Sequence, residues 1–165
     1  MNLRLIVMRH AKSSWKELGQ SDHERPLTAR GRRAAPQVAH HLAEIGWVPD
    51  KIISSDSLRT RETAGLLSLT WHLAAIEFTD SFYLTGPDAV CEILSSQASN
   101  LRTLLILGHN HGWEDVVHWL SGETVTLKTA SAALLTCPAE SWKEALATLQ
   151  RWQLVDVVHP RDLED

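Results

Sequence analysis

The run Thr103-Leu104-Leu105-Ile106-Leu107 carries no polar alternation and ends in Gly108-His109. A strand of this kind must be buried on both faces, which happens in parallel sheets covered by helices on each side. A second apolar run, within Leu3 to Met8, ends in Arg9-His10. Two buried strands thus each deliver a histidine at the carboxyl end. In open α/β sheets ligands bind outside those ends. The arginine beside the first histidine points to an anionic ligand, phosphate above all.

Apolar runs alternate with helical patterns along the whole chain, the signature of an α/β layer fold. Strands are expected at Arg4–Met8, Lys51–Ser54, Ala75–Phe78, Thr103–Leu107, Ala132–Cys137 and Leu154–Val158. The first helix should be capped by Thr28, run to about Ile45 and stop at Gly46. Pro36 should bend it or break its first turns. Further helices are expected from about Leu58 to Leu69, from Gly86-Pro87-Asp88 to about Ser95, over Trp113–Leu120 before Gly122, and near Ser141–Leu149. No repeat, low-complexity tract or linker divides the chain, so one domain over residues 1–165 is expected.

The length of 165 residues suffices for a core that folds alone. At 44% hydrophobic and 22% charged the composition is that of an ordinary globule, and the net charge of −4 offers no global basic surface to nucleic acid. The positive charge is local, in Arg25, Arg30, Arg32 and Arg33 and in Arg59 and Arg61, which favours a small anion over a long polyanion. No apolar stretch reaches the ~20 residues of a membrane span. The N-terminal apolar run is too short for a signal peptide. Cys91 and Cys137 form no metal-type spacing. These features fit a cytoplasmic monomer with reduced thiols. Of the seven tryptophans, most should pack the core or its rim, and Trp15 should line a pocket near His10.

The chemistry rests on a few residues. A neutral imidazole at His10 can attack phosphorus and form a covalent phosphohistidine. Guanidinium groups can clamp the phosphoryl oxygens. A strand-end histidine can also simply bond a backbone carbonyl. Arg59, in Ser55-Asp56-Ser57-Leu58-Arg59, falls in the first turn of a helix that opens at the same sheet edge, where helix amides also favour an anion. Arg61 is read as structural, paired with Glu62 or Asp56. His109 is the second strand-end histidine, with Gly108 allowing close backbone approach. Arg25 precedes a helix that begins at this edge, and either joins the phosphate or pairs with Glu24 on the surface.

Together these segments resemble the histidine phosphatase superfamily, whose hallmark is Arg-His-Gly after the first strand. Met8-Arg9-His10-Ala11-Lys12-Ser13-Ser14-Trp15, Arg25-Pro26-Leu27-Thr28-Ala29-Arg30-Gly31 and Pro160-Arg161-Asp162-Leu163 are similar to the short SixA-type phosphohistidine phosphatase branch. The resemblance spans Arg4 to Leu163. It implies a three-layer α/β/α domain with a mostly parallel sheet. It also implies that His10 is the phosphorylated nucleophile, that Arg9, Arg59 and His109 complete the phosphate pocket, and that Arg25 is the branch's extra arginine.

Two departures matter. The hallmark glycine is Ala11, a small replacement that this branch uses. The larger relatives carry a glutamate general acid before the helix after the middle strands, whereas Ser81 to Asp88 holds only Asp88, read as a helix N-terminal residue. A basic alkoxide needs a proton donor to leave. A phosphoramidate, with its labile P–N bond, needs less help. Asp22 is the candidate residual acid or water-activating base, or else a solvated loop aspartate. His111, two residues after His109, raises a metal, but a third ligand at metal spacing is missing. The expectation is a phosphatase without metal or cofactor. Its partner would be a phosphohistidine-bearing protein or a small phosphorylated substrate, with no nucleic acid and no membrane. A small-molecule phosphomonoesterase and a non-catalytic phosphate-binding module stay open as alternatives.

Overall fold

The computed structural model describes residues 2–15 and 19–164. Six strands form one sheet: β1 (Asn2–Arg9), β2 (Lys51–Ser55), β3 (Ile76–Thr79), β4 (Thr103–Gly108), β5 (Ala132–Pro138) and β6 (Gln153–Val158), in the order β3-β2-β4-β1-β5-β6. The pairings among β3, β2, β4 and β1 are parallel. β5 pairs antiparallel with both β1 and β6, so the sheet is mixed, with β5 running against its neighbours.

Alternation within the strands sorts the core into two faces. Leu3, Leu5 and Val7 of β1 join Leu104 and Ile106 of β4 on one face. There they pack against α3 (Pro87–Ser95), α4 (Gly112–Ser121) and α5 (Trp142–Ala145). Ile6 and Met8 join Leu105 and Leu107 on the other, under α1 (Ala29–Glu44) and α2 (Leu58–Trp71). Every residue of β4 is buried, as its unbroken apolar run requires.

Register then places the chemistry. Arg9 of β1 stands opposite Gly108 of β4, so the next residues, His10 and His109, emerge side by side at one edge. β2 ends beside them, with Ser54 opposite Leu107. The helices that follow the parallel strands start at that edge, and α1 is capped as the sequence predicts: the Thr28 hydroxyl accepts from the Gly31 N–H at 3.1 Å.

Two expectations need correction. α1 is not broken at Pro36, which lies inside a continuous helix. Pro36 lacks only the N–H that would reach back to the carbonyl of Arg32, an exposed residue, where water can take its place. The helix near Ser141–Leu149 is a single turn, Trp142–Ala145. The chain turns away because Gln150 and Trp152 donate backbone bonds to Trp119 and Leu120, and Trp152 stacks on Trp142 at 5.8 Å.

Gly31 shows how tightly α1 is pressed onto the segment after β1. A Cβ there would lie 2.3 Å from the Lys12 carbonyl oxygen. Gly31→Ala is therefore expected to destabilise the fold by about 1–3 kcal/mol despite its better helix propensity. Gly65→Ala in α2, where a Cβ meets nothing within 4 Å, should stabilise by roughly 0.5–1 kcal/mol. Denaturant unfolding of the two variants in parallel checks both signs.

Candidate active site

His10 is 5% exposed and His109 is 2% exposed, with ring centroids 5.3 Å apart. Nδ1 of His10 lies 2.6 Å from the carbonyl oxygen of Ala11. A carbonyl only accepts, so Nδ1 carries the proton and Nε2 keeps its lone pair. The carbonyl-bonding histidine and the nucleophile, alternatives in the sequence, are thus compatible in one residue. Burial, and then Arg59, Arg9 and Arg25, push its pKa down to about 3, against the raising effect of the Ala11 bond. His10 is neutral at pH 7.

His109 is fixed in the opposite tautomer. Its Nδ1 sits 3.2 Å from Nη2 of Arg59, which can only donate. Its Nε2 therefore carries the proton, 2.9 Å from Oγ of Ser55 at the end of β2. Burial and Arg59 bring its pKa also to about 3.

Three arginines surround the pair. Arg9 donates from Nη1 to the Leu127 carbonyl at 3.1 Å. Arg59, 3% exposed, donates to the Asp22 carbonyl at 2.6 Å and to its Oδ2 at 3.0 Å. Arg25, 7% exposed, lies 3.2 Å from Oδ1 of Asp22, donates to the Ser13 hydroxyl and stacks on Trp15 at 3.3 Å from the ring centroid. The pairing of Arg25 with Glu24 is replaced by this one with Asp22. The Nε–H groups of Arg9, Arg25 and Arg59 are buried and find no acceptor among the described residues. His10, Arg9, Arg25, Arg59, His109, Trp15 and Asn110 line one cavity of about 360 Å³.

Asp22 lies at this site and not in free solvent. Burial acts to raise its carboxyl pKa, but the Tyr83 hydroxyl, Arg59 and Arg25 outweigh it and hold it below the ordinary value. It is a carboxylate at neutral pH, suited to accept a proton and not to give one. Tyr83, the chain's one tyrosine, was missed by the sequence reading. It donates to Oδ2 of Asp22 and sets its ring edge against His109 at 5.4 Å and His23 at 5.0 Å. Ser55 was missed because its role depends on register. Arg61 stays outside the site, as expected, but it donates to the Asp56 backbone carbonyl at 2.8 Å and not to a carboxylate. Asp88 is an exposed first-turn residue of α3. His111 faces Glu114 at 3.5 Å, and no group of three metal-binding side chains occurs among the described residues. The space at Gly108 is filled by the core ring of Trp113, which a Cβ would meet at 2.6 Å, so this glycine serves packing.

The neutral histidines carry a consequence for stability. Their folded pKa lies below the unfolded value of about 6.5, so on acidification the unfolded chain takes up protons first. Stability should fall as pH drops from about 6.5 toward 3, by at most about 1.4 kcal/mol per pH unit for each histidine. Unfolding free energies between pH 7 and 4 check this, and His10→Asn should remove roughly half of the slope attributable to the pair.

Paired strand-end histidines among three arginines suit the binding of a phosphoryl group. Residues 5–82 match the histidine phosphatase superfamily (branch 1). An uncharacterized chloroplastic protein of Arabidopsis thaliana is 40% identical over 169 residues, covering 95% of this chain and 78% of that one. A candidate phosphohistidine phosphatase SixA of Agrobacterium tumefaciens has a similar structure, with a TM-score of 0.81 at 25% identity over 96% of this chain and 98% of that one. The protein histidine phosphatase SixA complexed with tungstate gives a TM-score of 0.78 at 19% identity, over 99% and 100%. The chain belongs to the histidine phosphatase superfamily and has the SixA-like form of its α/β fold. It is accordingly an enzyme of the phosphatase or mutase type. Among the described residues no helix is long and apolar enough to cross a membrane.

Proposed function

We propose that the protein is a metal-independent phosphatase that removes phosphate from phosphohistidine through a covalent intermediate on His10. The observation that carries this reading is the Nδ1–H bond from His10 to Ala11, which leaves a neutral Nε2 among three arginines. In the first step Nε2 attacks phosphorus, the N–P bond forms, and the bond to the substrate imidazole, protonated at its other ring nitrogen, breaks, so that it leaves as neutral imidazole. In the second, water attacks phosphorus, the N–P bond of His10 breaks, and phosphate departs with His10 neutral again. Arg9, Arg25 and Arg59 neutralise the equatorial oxygens.

His109 assists if its proton moves to Nδ1. Ser55 permits this, because a hydroxyl that accepts from Nε2–H can rotate and donate instead. An anion that draws Arg59 away from Nδ1 would favour that tautomer. Asp22, a carboxylate, takes a proton from the attacking water. Among the described residues no acid is poised for an alkoxide, which favours a P–N substrate over a P–O one. Free Cys91 and Cys137 fit a reducing compartment such as the cytoplasm, with the chain acting as a monomer on a phosphohistidine-bearing protein.

The test is hydrolysis of a phosphohistidine-bearing protein domain beside p-nitrophenyl phosphate, with chelator present. Phosphohistidine should be turned over preferentially and without metal. Faster hydrolysis of the phosphomonoester would transfer the protein to the small-molecule phosphomonoesterases. No hydrolysis of either by folded protein would leave a phosphate-binding module.

A further inference from the structure

A second cleft, of about 690 Å³, adjoins the candidate active site and shares Lys12 and Thr129 with it. Its walls carry Lys12, Arg30, Arg33, Lys128 and Arg161, against one carboxylate, Glu164. All five cations are exposed, and none has an ion-pair partner among the described residues. In a chain of net charge −4 this is a local concentration of unpaired positive charge. It also accounts for residues that the phosphate pocket leaves unexplained. Arg30 comes from the segment that starts α1, and Arg161 from Pro160-Arg161-Asp162-Leu163 after β6. Packing between α1 and that C-terminal turn brings the two together.

We propose that this cleft docks the acidic surface of the phosphoprotein, next to the phosphorylated residue that enters the pocket of His10. The inference rests on the reading that the substrate is a phosphorylated protein. A small second phosphate would call for an enclosed pocket with buried donors. Exposed, flexible cations around an open cleft instead suit a protein rim, where charge complementarity speeds association and selects partners. The short reach of the basic cleft, on an otherwise acidic chain, argues against a polynucleotide.

The test uses two fluorescein-labelled peptides, each carrying a non-hydrolysable phosphohistidine analogue, one flanked by glutamates and the other by glutamines. Binding is read by anisotropy. The glutamate peptide should bind about tenfold tighter or more at low salt, and the preference should vanish at high salt. The double variant Arg33→Glu/Lys128→Glu should lose the preference while hydrolysing phosphoramidate at the wild-type rate. Equal binding of the two peptides overturns the proposal. So does tighter, variant-sensitive binding of a 5′-phosphorylated single-stranded oligonucleotide. Because the readout is binding, it is separable from turnover. A protein that prefers the glutamate peptide yet fails to hydrolyse phosphohistidine keeps the docking cleft and refutes the proposed reaction.

Discussion

Replacing His10 by alanine is expected to lower kcat/KM by about 10⁴-fold or more while leaving the chain folded. Among the described residues the other strand-end histidine is not placed to substitute. Nδ1 of His109 is engaged by Arg59, and its Nε2 carries the proton toward Ser55. The fold should survive because backbone bonds hold this residue in place. Its N–H donates to Gly108 at 3.1 Å, and its carbonyl accepts from Ala130 at 2.9 Å. The melting temperature should therefore move by no more than about 5 °C, roughly 1–2 kcal/mol in a chain of this length. Rapid quenching of wild-type enzyme with radiolabelled substrate should trap an acid-labile, alkali-stable phosphoenzyme that His10→Ala does not form. A folded variant that retains more than about 1% of activity would exclude His10 as the nucleophile.

The candidate site is largely legible in the sequence because its parts are local consequences of the fold. A buried parallel strand must stop at the sheet edge, and the next residue then faces the ligand side. That logic alone placed His10 and His109, and the register of β1 against β4 confirms the geometry. A helix cap, Ser57, whose hydroxyl accepts from Thr60, likewise explains why Arg59 opens α2 at that edge. What the sequence did not reveal depends on long-range contacts. The hold of Tyr83 on Asp22 spans 61 residues, and that of Ser55 on His109 spans 54. Neither has a spacing signal, since the register of β2 against β4 brings Ser55 to His109 and tertiary packing brings Tyr83 to Asp22. For Asp22 the sequence leaves open a residual acid, a water-activating base or a solvated loop residue. Its ionised state was hidden, because that state is set by Arg59, Arg25 and Tyr83. The length of the Trp142–Ala145 helix was overestimated for the same kind of reason: contacts of Gln150 and Trp152 with α4 override the local helical pattern.

Arg59→Ala is expected to reduce kcat/KM by about 10²–10³-fold, the loss of one preorganised charge at the transferring group, or roughly 3–4 kcal/mol. Arg59→Lys should recover only part of it, since an ammonium cannot reproduce the fork that spans Asp22 and His109. The complication is that Arg59 also holds the Asp22 loop, so a loss of activity alone does not separate chemistry from structure. Removing Arg59 strands Asp22 with Arg25 and Tyr83, and its carboxyl pKa should move up toward the ordinary value. The double variant Asp22→Ala/Arg59→Ala removes the stranded carboxylate. If Arg59 acts on the phosphoryl group, the double variant regains stability relative to Arg59→Ala but stays as inactive, and it binds vanadate as weakly as the single variant. Recovery of activity to within about tenfold of the wild type would mean that Arg59 serves the site only by neutralising Asp22.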